Sequence, residues 1–354
     1  MIAKYTEKKT RGQTLVKFAS PHVSGETLKR IQECGSWMLF LANKEVDKLK
    51  LHRMNSCKWK YCPMCNYRKS IKDAMRIAVM MDYIEKVYDV RFIFVTLTAP
   101  NVTADKLSDE ITRYNAGFKR LTERDDVARM NLGYMRRVEV TYNKKTDTYH
   151  PHTHVVFAVN KSYFKSRDYL RQSKWLQLWR ESMRDPTITQ VDVRQVRRQK
   201  RDADKNKTEN KNSSVDIVRE FSKYLAKDAD YGYSQEVFDV FVKALHKRRN
   251  MTYGGVFDKA NKLYKEYEKA RKAGEDHELD EYVKKDMTEY YYLLFFNWYG
   301  DSYQERVRRV LKEKERLNPS KMDATARTAG GLVPLVFAYS SAEEMERMTN
   351  MNRT

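Results

Sequence analysis

A polar hexapeptide, Asn143 to Thr148, separates two strand-like runs, Met135 to Tyr142 and Tyr149 to Phe157. The pattern predicts a β-hairpin and so an antiparallel sheet around it. With Tyr142 and Tyr149 flanking the turn, Glu139 falls directly opposite His152 on one face. The second run, Tyr149-His150-Pro151-His152-Thr153-His154-Val155-Val156-Phe157, carries three of the seven histidines of the chain. Side chains two apart on a strand share a face, so His152 and His154 project together, about 7 Å apart along the backbone. Two imidazoles and a facing carboxylate suit a divalent cation and leave positions open on it. An ion held this way can polarise a phosphoryl oxygen. His150 shares the face but adjoins a proline. It stands as a third ligand, a substrate contact or merely the start of the strand.

Other segments supply the frame. Arg91 to Thr98 is rich in β-branched and aromatic residues and ends at Ala-Pro-Asn, which predicts a strand and a turn. Residues 188–196 read as another strand. Helical spacing predicts helices over 71–87, 104–130, 162–184, 217–228 and 237–247. Residues 197–212 are charged and of low complexity and read as an exposed loop. The run from Tyr290 to Tyr299 is too short and too polar at its flanks to span a bilayer, and reads as a buried helix. The tail from Asp258 reads as a separate helical module, and residues 330–339 as a late strand. The expected domains are 1–75, 76–257 and 258–354.

The chain has 354 residues, and Lys and Arg exceed Asp and Glu by 69 to 48, a net charge of +21. Such an excess favours a polyanionic partner, most often nucleic acid, over a generally basic surface with no dedicated partner. The N-terminal residues lack the apolar core of a signal peptide and no segment is long enough to cross a membrane, so a cytoplasmic protein with reduced thiols is expected. Cys34, Cys57, Cys62 and Cys65 then suit a structural zinc ion, with His52 as a substitute for one of them. The plainer alternative is four small buried hydrophobes.

Between Ile217 and Asp228, Ile217, Val218, Phe221 and Leu225 form an apolar stripe. Glu220 and Tyr224 are four apart on one flank of it, so they are helix neighbours, with Lys223 and Lys227 nearby as candidate phosphate contacts. A tyrosine at a stripe edge is ordinarily a packing residue. Beside a carboxylate, lysines and a metal site, it is also a phenol able to attack a phosphodiester, with a carboxylate able to activate water afterwards.

Three motifs in this order resemble those of the replication initiators of Gram-positive rolling-circle plasmids, a branch of the HUH endonucleases. They are Phe94-Val-Thr-Leu-Thr-Ala-Pro-Asn101; Glu139-Val-Thr followed by His150-Pro-His-Thr-His-Val-Val-Phe157; and Glu220-Phe-Ser-Lys-Tyr-Leu-Ala-Lys227. The resemblance spans roughly residues 30 to 257, and Thr153 stands where the family usually has a large apolar residue. It implies an α+β fold: a central antiparallel, ferredoxin- or RRM-like sheet with flanking helices, an N-terminal Cys-rich module and a helical C-terminal region. It also implies Mg²⁺ or Mn²⁺ on His152 and His154 with Glu139 as third ligand, Tyr224 as nucleophile and Glu220 as activator of water. The implied partners are plasmid double-strand origin DNA, as a hairpin or single-stranded nick site, and the host helicase and polymerase. A transposase or mobilisation relaxase would share the chemistry, but relaxases usually place the tyrosine before the histidines. A non-catalytic, zinc-stabilised DNA-binding regulator is the third reading.

Overall fold

The structure, a computed structural model, describes residues 1–196, 217, 218, 220, 221, 228–249, 251–283 and 287–317. Among them the strands are β1 Trp37–Ala42, β2 Leu49–Met54, β3 Val90–Thr98, β4 Gly133–Asn143, β5 Thr148–Asn160, β6 Val191–Gln195, β7 Met251–Gly255, β8 Tyr292–Tyr299 and β9 Ser302–Val310. The principal helices are α1 Ile2–Ala19, α2 Gly25–Glu33, α3 Pro63–Tyr88, α4 Leu107–Glu123, α5 Asp125–Met130, α6 Gln172–Met183, α7 Gln235–Leu245 and α8 Val256–Ala273. The chain divides into two compact units. One comprises residues 3–34 and 56–285; the other comprises 1–2, 35–55 and the described residues after 286. The expected α+β class with antiparallel sheets is borne out.

The larger unit is built on a five-stranded sheet, ordered β6-β3-β5-β4-β7 and antiparallel throughout. One face carries Phe92, Phe94, Met135 and Val156, packed against Ile77, Met80, Met81 and Ile84 of α3 and Phe257, Ala260 and Tyr264 of α8. The other carries Ile93, Val95, Leu97, Val155 and Phe157 against Tyr114, Phe118 and Leu121 of α4 and Trp175, Leu178 and Trp179 of α6. Each large side chain sealed in this way contributes about 1.5–3 kcal/mol, so these two layers hold the sheet against its helices. Pro63 opens α3 at a position where a missing N–H costs nothing. Gly255, at φ 57°, turns β7 directly into α8; a Cβ there would collide with the carbonyl of Leu132.

The expected boundaries at 75/76 and 257/258 fall inside α3 and α8, two helices that pack on the central sheet. The helix expected over 162–184 is shorter: α6 follows a separate 3₁₀ turn at Tyr163–Lys165.

The smaller unit is a four-stranded antiparallel sheet ordered β2-β1-β8-β9. This corrects the reading of Tyr290 to Tyr299 as a buried helix. The run Leu293 to Phe296 is buried continuously because both faces of β8 are covered, and β8 is paired with β1 and β9 on its two edges. A short apolar run covered on both faces has no alternation to distinguish it from a helix. Gly300 and Asp301 close the β8–β9 hairpin as a two-residue turn, with Gly300 at φ 60°. The expected loop at 197–212 and late strand at 330–339 lie outside the described residues.

Candidate active site

The apolar face of the central sheet becomes polar at one level across three adjacent strands. On β3, Phe92 and Phe94 give way to Thr96; on β5, Val156 gives way to His154 and His152; on β4, Met135 gives way to Arg137 and Glu139. The hairpin has the predicted register, with Tyr142 opposite Tyr149 and Glu139 opposite His152. Its tyrosine pair is in ring contact at 5.2 Å, which pins the turn end of the hairpin.

The three side chains converge. Glu139 Oε2 is 3.6 Å from Nε2 of His152 and 3.5 Å from Nε2 of His154, and one ligand atom from each lies within 4.8 Å of the others. The far nitrogens are engaged elsewhere: Nδ1 of His154 lies 3.2 Å from Thr96 Oγ1, and Nδ1 of His152 lies 3.3 Å from the carbonyl of His150. A proton on each Nδ1 satisfies both contacts and leaves both Nε2 lone pairs facing the carboxylate, the arrangement typical of metal-binding imidazoles. Nε2 of His154 is buried and makes no hydrogen bond among the described residues. An orphaned buried acceptor is costly in a folded protein, and a cation at this point would satisfy it. The donor set of two nitrogens and an oxygen fits a divalent ion.

The electrostatics agree. Burial works to raise the Glu139 carboxyl, but the two imidazoles and Arg137 outweigh it and hold the group well below the usual carboxylate range. Burial lowers His154, keeping its imidazole neutral, as a ligand must be. The ring of Phe94 stacks on His154 at 5.4 Å and fixes its plane.

Glu220 belongs to the same cluster. Ile217, Val218, Glu220 and Phe221 are helical, with Ile217 and Phe221 buried on the sheet face beside Phe94. This anchoring brings Glu220 Oε1 to 3.4 Å from His154 Nε2. The Glu220 side chain is 28% exposed against 4% for Glu139, so water reaches the first carboxylate and not the second. The buried guanidinium of Arg137 donates to the carbonyl of Phe221, tying the Glu220 segment to β4. His150 stacks on His152 at 5.4 Å and lies outside the converging three. Tyr224, Lys223 and Lys227 lie outside the described residues.

Sequence reasoning passed over Thr96, Phe94 and Arg137 as parts of the site. Their signal is positional: Thr96 and Arg137 are the strand partners of His154 on its two sides, and Phe94 is two residues before Thr96 on the same face.

The four cysteines also converge, within 4.8 Å of one another, and no disulfide joins them. Cys34 caps the C-terminus of α2, Cys62 precedes α3 and Cys65 lies in its first turn. Their sulfurs stand 3.5 Å apart for Cys34–Cys65, 3.5 Å for Cys34–Cys62 and 3.7 Å for Cys57–Cys65. Tetrahedral Zn–S bonds of about 2.3 Å place sulfurs roughly 3.8 Å apart. Backbone N–H groups of Cys57, Lys58 and Trp59 point at sulfurs of the cluster. The neighbouring thiols lower the Cys65 thiol below its ordinary range. His52 is not in the group.

Comparison with known proteins adds the family. A sequence profile for the Replication protein family matches residues 48–304. The chain belongs to that family. A protein rep of Staphylococcus aureus is 43% identical over 231 residues, 65% of this chain and 95% of the relative. A protein rep of Bacillus amyloliquefaciens is 34% identical over 67% of this chain and 73% of its own. One from Streptococcus pneumoniae is 33% identical over 67% and 72%. No solved structure matches. The family match takes in Glu139, His152, His154 and the Glu220–Tyr224 segment, whereas Cys34 precedes it. Among the described residues, no helix is long and apolar enough to cross a membrane.

Proposed function

We propose that this member of the family is a plasmid rolling-circle replication initiator that nicks one strand of origin DNA through Tyr224. The observation that carries the reading is the convergence of Glu139, His152 and His154 on one point with Glu220 beside His154. Tyr224 follows Glu220 by four positions, the spacing of neighbours on adjacent helical turns.

In this reading His152, His154 and Glu139 hold Mg²⁺ or Mn²⁺, which would supply charge stabilisation at the scissile phosphate. The Tyr224 oxygen attacks the phosphorus as its proton passes to solvent, and the departing 3′ oxygen takes a proton from solvent. The bond to the 3′ oxygen breaks, leaving a 5′-phosphotyrosine and a free 3′-OH able to prime synthesis. Glu220 later takes a proton from water as the water releases the adduct, a general-base role worth about 10²–10⁴-fold. Lys223 and Lys227 contact the phosphate backbone. The cysteine cluster holds a structural Zn²⁺. DNA is the principal partner, with host helicase and polymerase acting downstream in the bacterial cytoplasm.

The test is adduct mapping on a supercoiled plasmid carrying the origin. Wild-type protein should leave a phosphotyrosine at Tyr224 in Mg²⁺ or Mn²⁺ and none in chelator. Tyr224→Phe should bind the same DNA and fail to cleave it. An adduct on another tyrosine would sink the nucleophile assignment, and full cleavage in chelator the metal assignment.

A further inference from the structure

Adjacent residues on a strand face opposite ways, so Arg136 points away from Arg137 and from the histidines. Its side of the sheet holds a pocket of about 370 Å³. Phe118 and Lys119 of α4, Tyr134 and Arg136 of β4, and Arg248 and Arg249 beyond α7 contribute to its lining. No carboxylate lines it among the described residues.

Arg136 forms the floor. It is 6% exposed, and its Nε and Nη2 are buried with no hydrogen-bond partner among the described residues. The Phe118 ring, 4.5 Å from its Cζ, covers one face of the guanidinium and satisfies none of its in-plane N–H donors. Burial pushes this group down to about 10, still charged at neutral pH. A buried guanidinium is ordinarily paired, because its donors lose water and must find acceptors elsewhere. Here the charged neighbours in the lining are cations. Arg248 is braced toward the pocket by bonds to the Ala244 carbonyl and to Ser108 and Thr112 of α4. Lys119 and Arg249 are exposed at the rim.

We propose that this pocket binds a phosphate group, with Arg136 as the buried anchor and Arg248, Arg249 and Lys119 completing the charge. A phosphate supplies the in-plane acceptors that a guanidinium fork matches. The volume falls within the roughly 300–1,000 Å³ of small-molecule sites and leaves room for an attached sugar or base beside Tyr134. The same chemistry is presented by a free nucleotide and by a phosphodiester of DNA. Phosphate binding here does not depend on the nicking chemistry and is measured without cleavage.

The full-length chain is titrated with ADP, followed by calorimetry. In parallel it is titrated with an origin-free DNA duplex, followed by fluorescence anisotropy at several salt concentrations. Arg136→Met and the rim double variant Lys119→Gln/Arg249→Gln are compared with wild type after circular dichroism confirms the fold. If a nucleotide is the source, ADP affinity falls at least 10-fold in each variant. If a DNA phosphodiester is the source, duplex affinity falls and the log–log salt slope becomes shallower by about 1 for each phosphate no longer neutralised. Either result supports the pocket and names its source. Folded variants with wild-type affinity for both probes and an unchanged slope overturn it. Should Arg136→Met fail to fold, the rim variant decides by the same criterion.

Discussion

At the scale of single residues, the His/Glu site depends on groups that never reach its centre. The Thr96 hydroxyl meets Nδ1 of His154 and accepts its proton in the tautomer that leaves Nε2 free to bind a metal. Thr96→Val keeps the shape and β-propensity of the side chain and removes the acceptor. Mn²⁺ affinity measured by titration should fall about 10–100-fold while the protein stays folded; an unchanged affinity would remove Thr96 from the site. Glu220 offers a second, separable test. Glu220→Ala should nick with near-normal burst kinetics and then accumulate protein–DNA adduct, as read on denaturing gels. Normal release would assign water activation to another group. The histidines and Glu139 were legible because period-two spacing and hairpin register are both written locally in the chain. Thr96 and Arg137 were not, since their roles depend on strand pairings and helix packing that join residues up to 84 positions apart.

At the scale of elements, the cysteine cluster links the end of α2 to the start of α3. The two helices contribute Cys34, Cys62 and Cys65, with Cys57 between them in sequence. Lys9 of α1 reaches into the same place, donating to the carbonyls of Gln32 and Cys34 at 2.9 and 2.8 Å. A tetrathiolate zinc carries surplus negative charge, and a buried lysine beside it offsets part of that charge. One zinc per chain should be released by a thiol-reactive reagent and counted with a chromogenic chelator. Cys62→Ser should lose the zinc and lower the melting temperature by at least about 5 °C, the shift made by roughly 2 kcal/mol in a unit of this size. A metal-free wild type with an unchanged melting temperature would leave the thiols as packing groups. The cysteine spacing was readable in advance, but the strand character of β8 was not. Its continuous apolar run satisfies helix and doubly covered strand alike. The informative signal was the Gly300-Asp301 dipeptide between two strand-like runs, which closes a two-residue hairpin here.

At the scale of the whole chain, the charge of +21 means that much of any DNA affinity will come from displaced counterions. Affinity for a duplex lacking the origin should fall about 10³–10⁵-fold between 50 and 200 mM salt if some six to ten phosphates are engaged. An origin duplex should follow a similar slope with a constant offset, because base contacts are far less sensitive to salt. Coincident curves for the two duplexes would place origin selection outside duplex binding. Charge was the one property of the whole molecule that composition alone made legible. Composition did not reveal that Trp37–Ala42, from a stretch that interrupts the larger unit in sequence, and Tyr292–Tyr299 share a sheet. That pairing spans some 250 positions, and no local pattern encodes a contact so distant.

The alternation of β4 has a genetic consequence. Met135, Arg137 and Glu139 face α3 and the histidines, while Tyr134, Arg136 and Val138 face α4 and the pocket. The strand therefore carries two interleaved messages in a single reading frame. Because the Tyr142–Tyr149 pair pins the turn, deleting one codon between Glu139 and that turn would not damage one message and spare the other. It would exchange them, sending Arg136 toward the histidines and Glu139 into an apolar layer. In-frame deletions of one residue between Glu139 and the turn should therefore be among the lesions of β4 least tolerated for folding, and two-residue deletions, which restore the facing, comparatively mild for folding although they carry Glu139 out of register with His152.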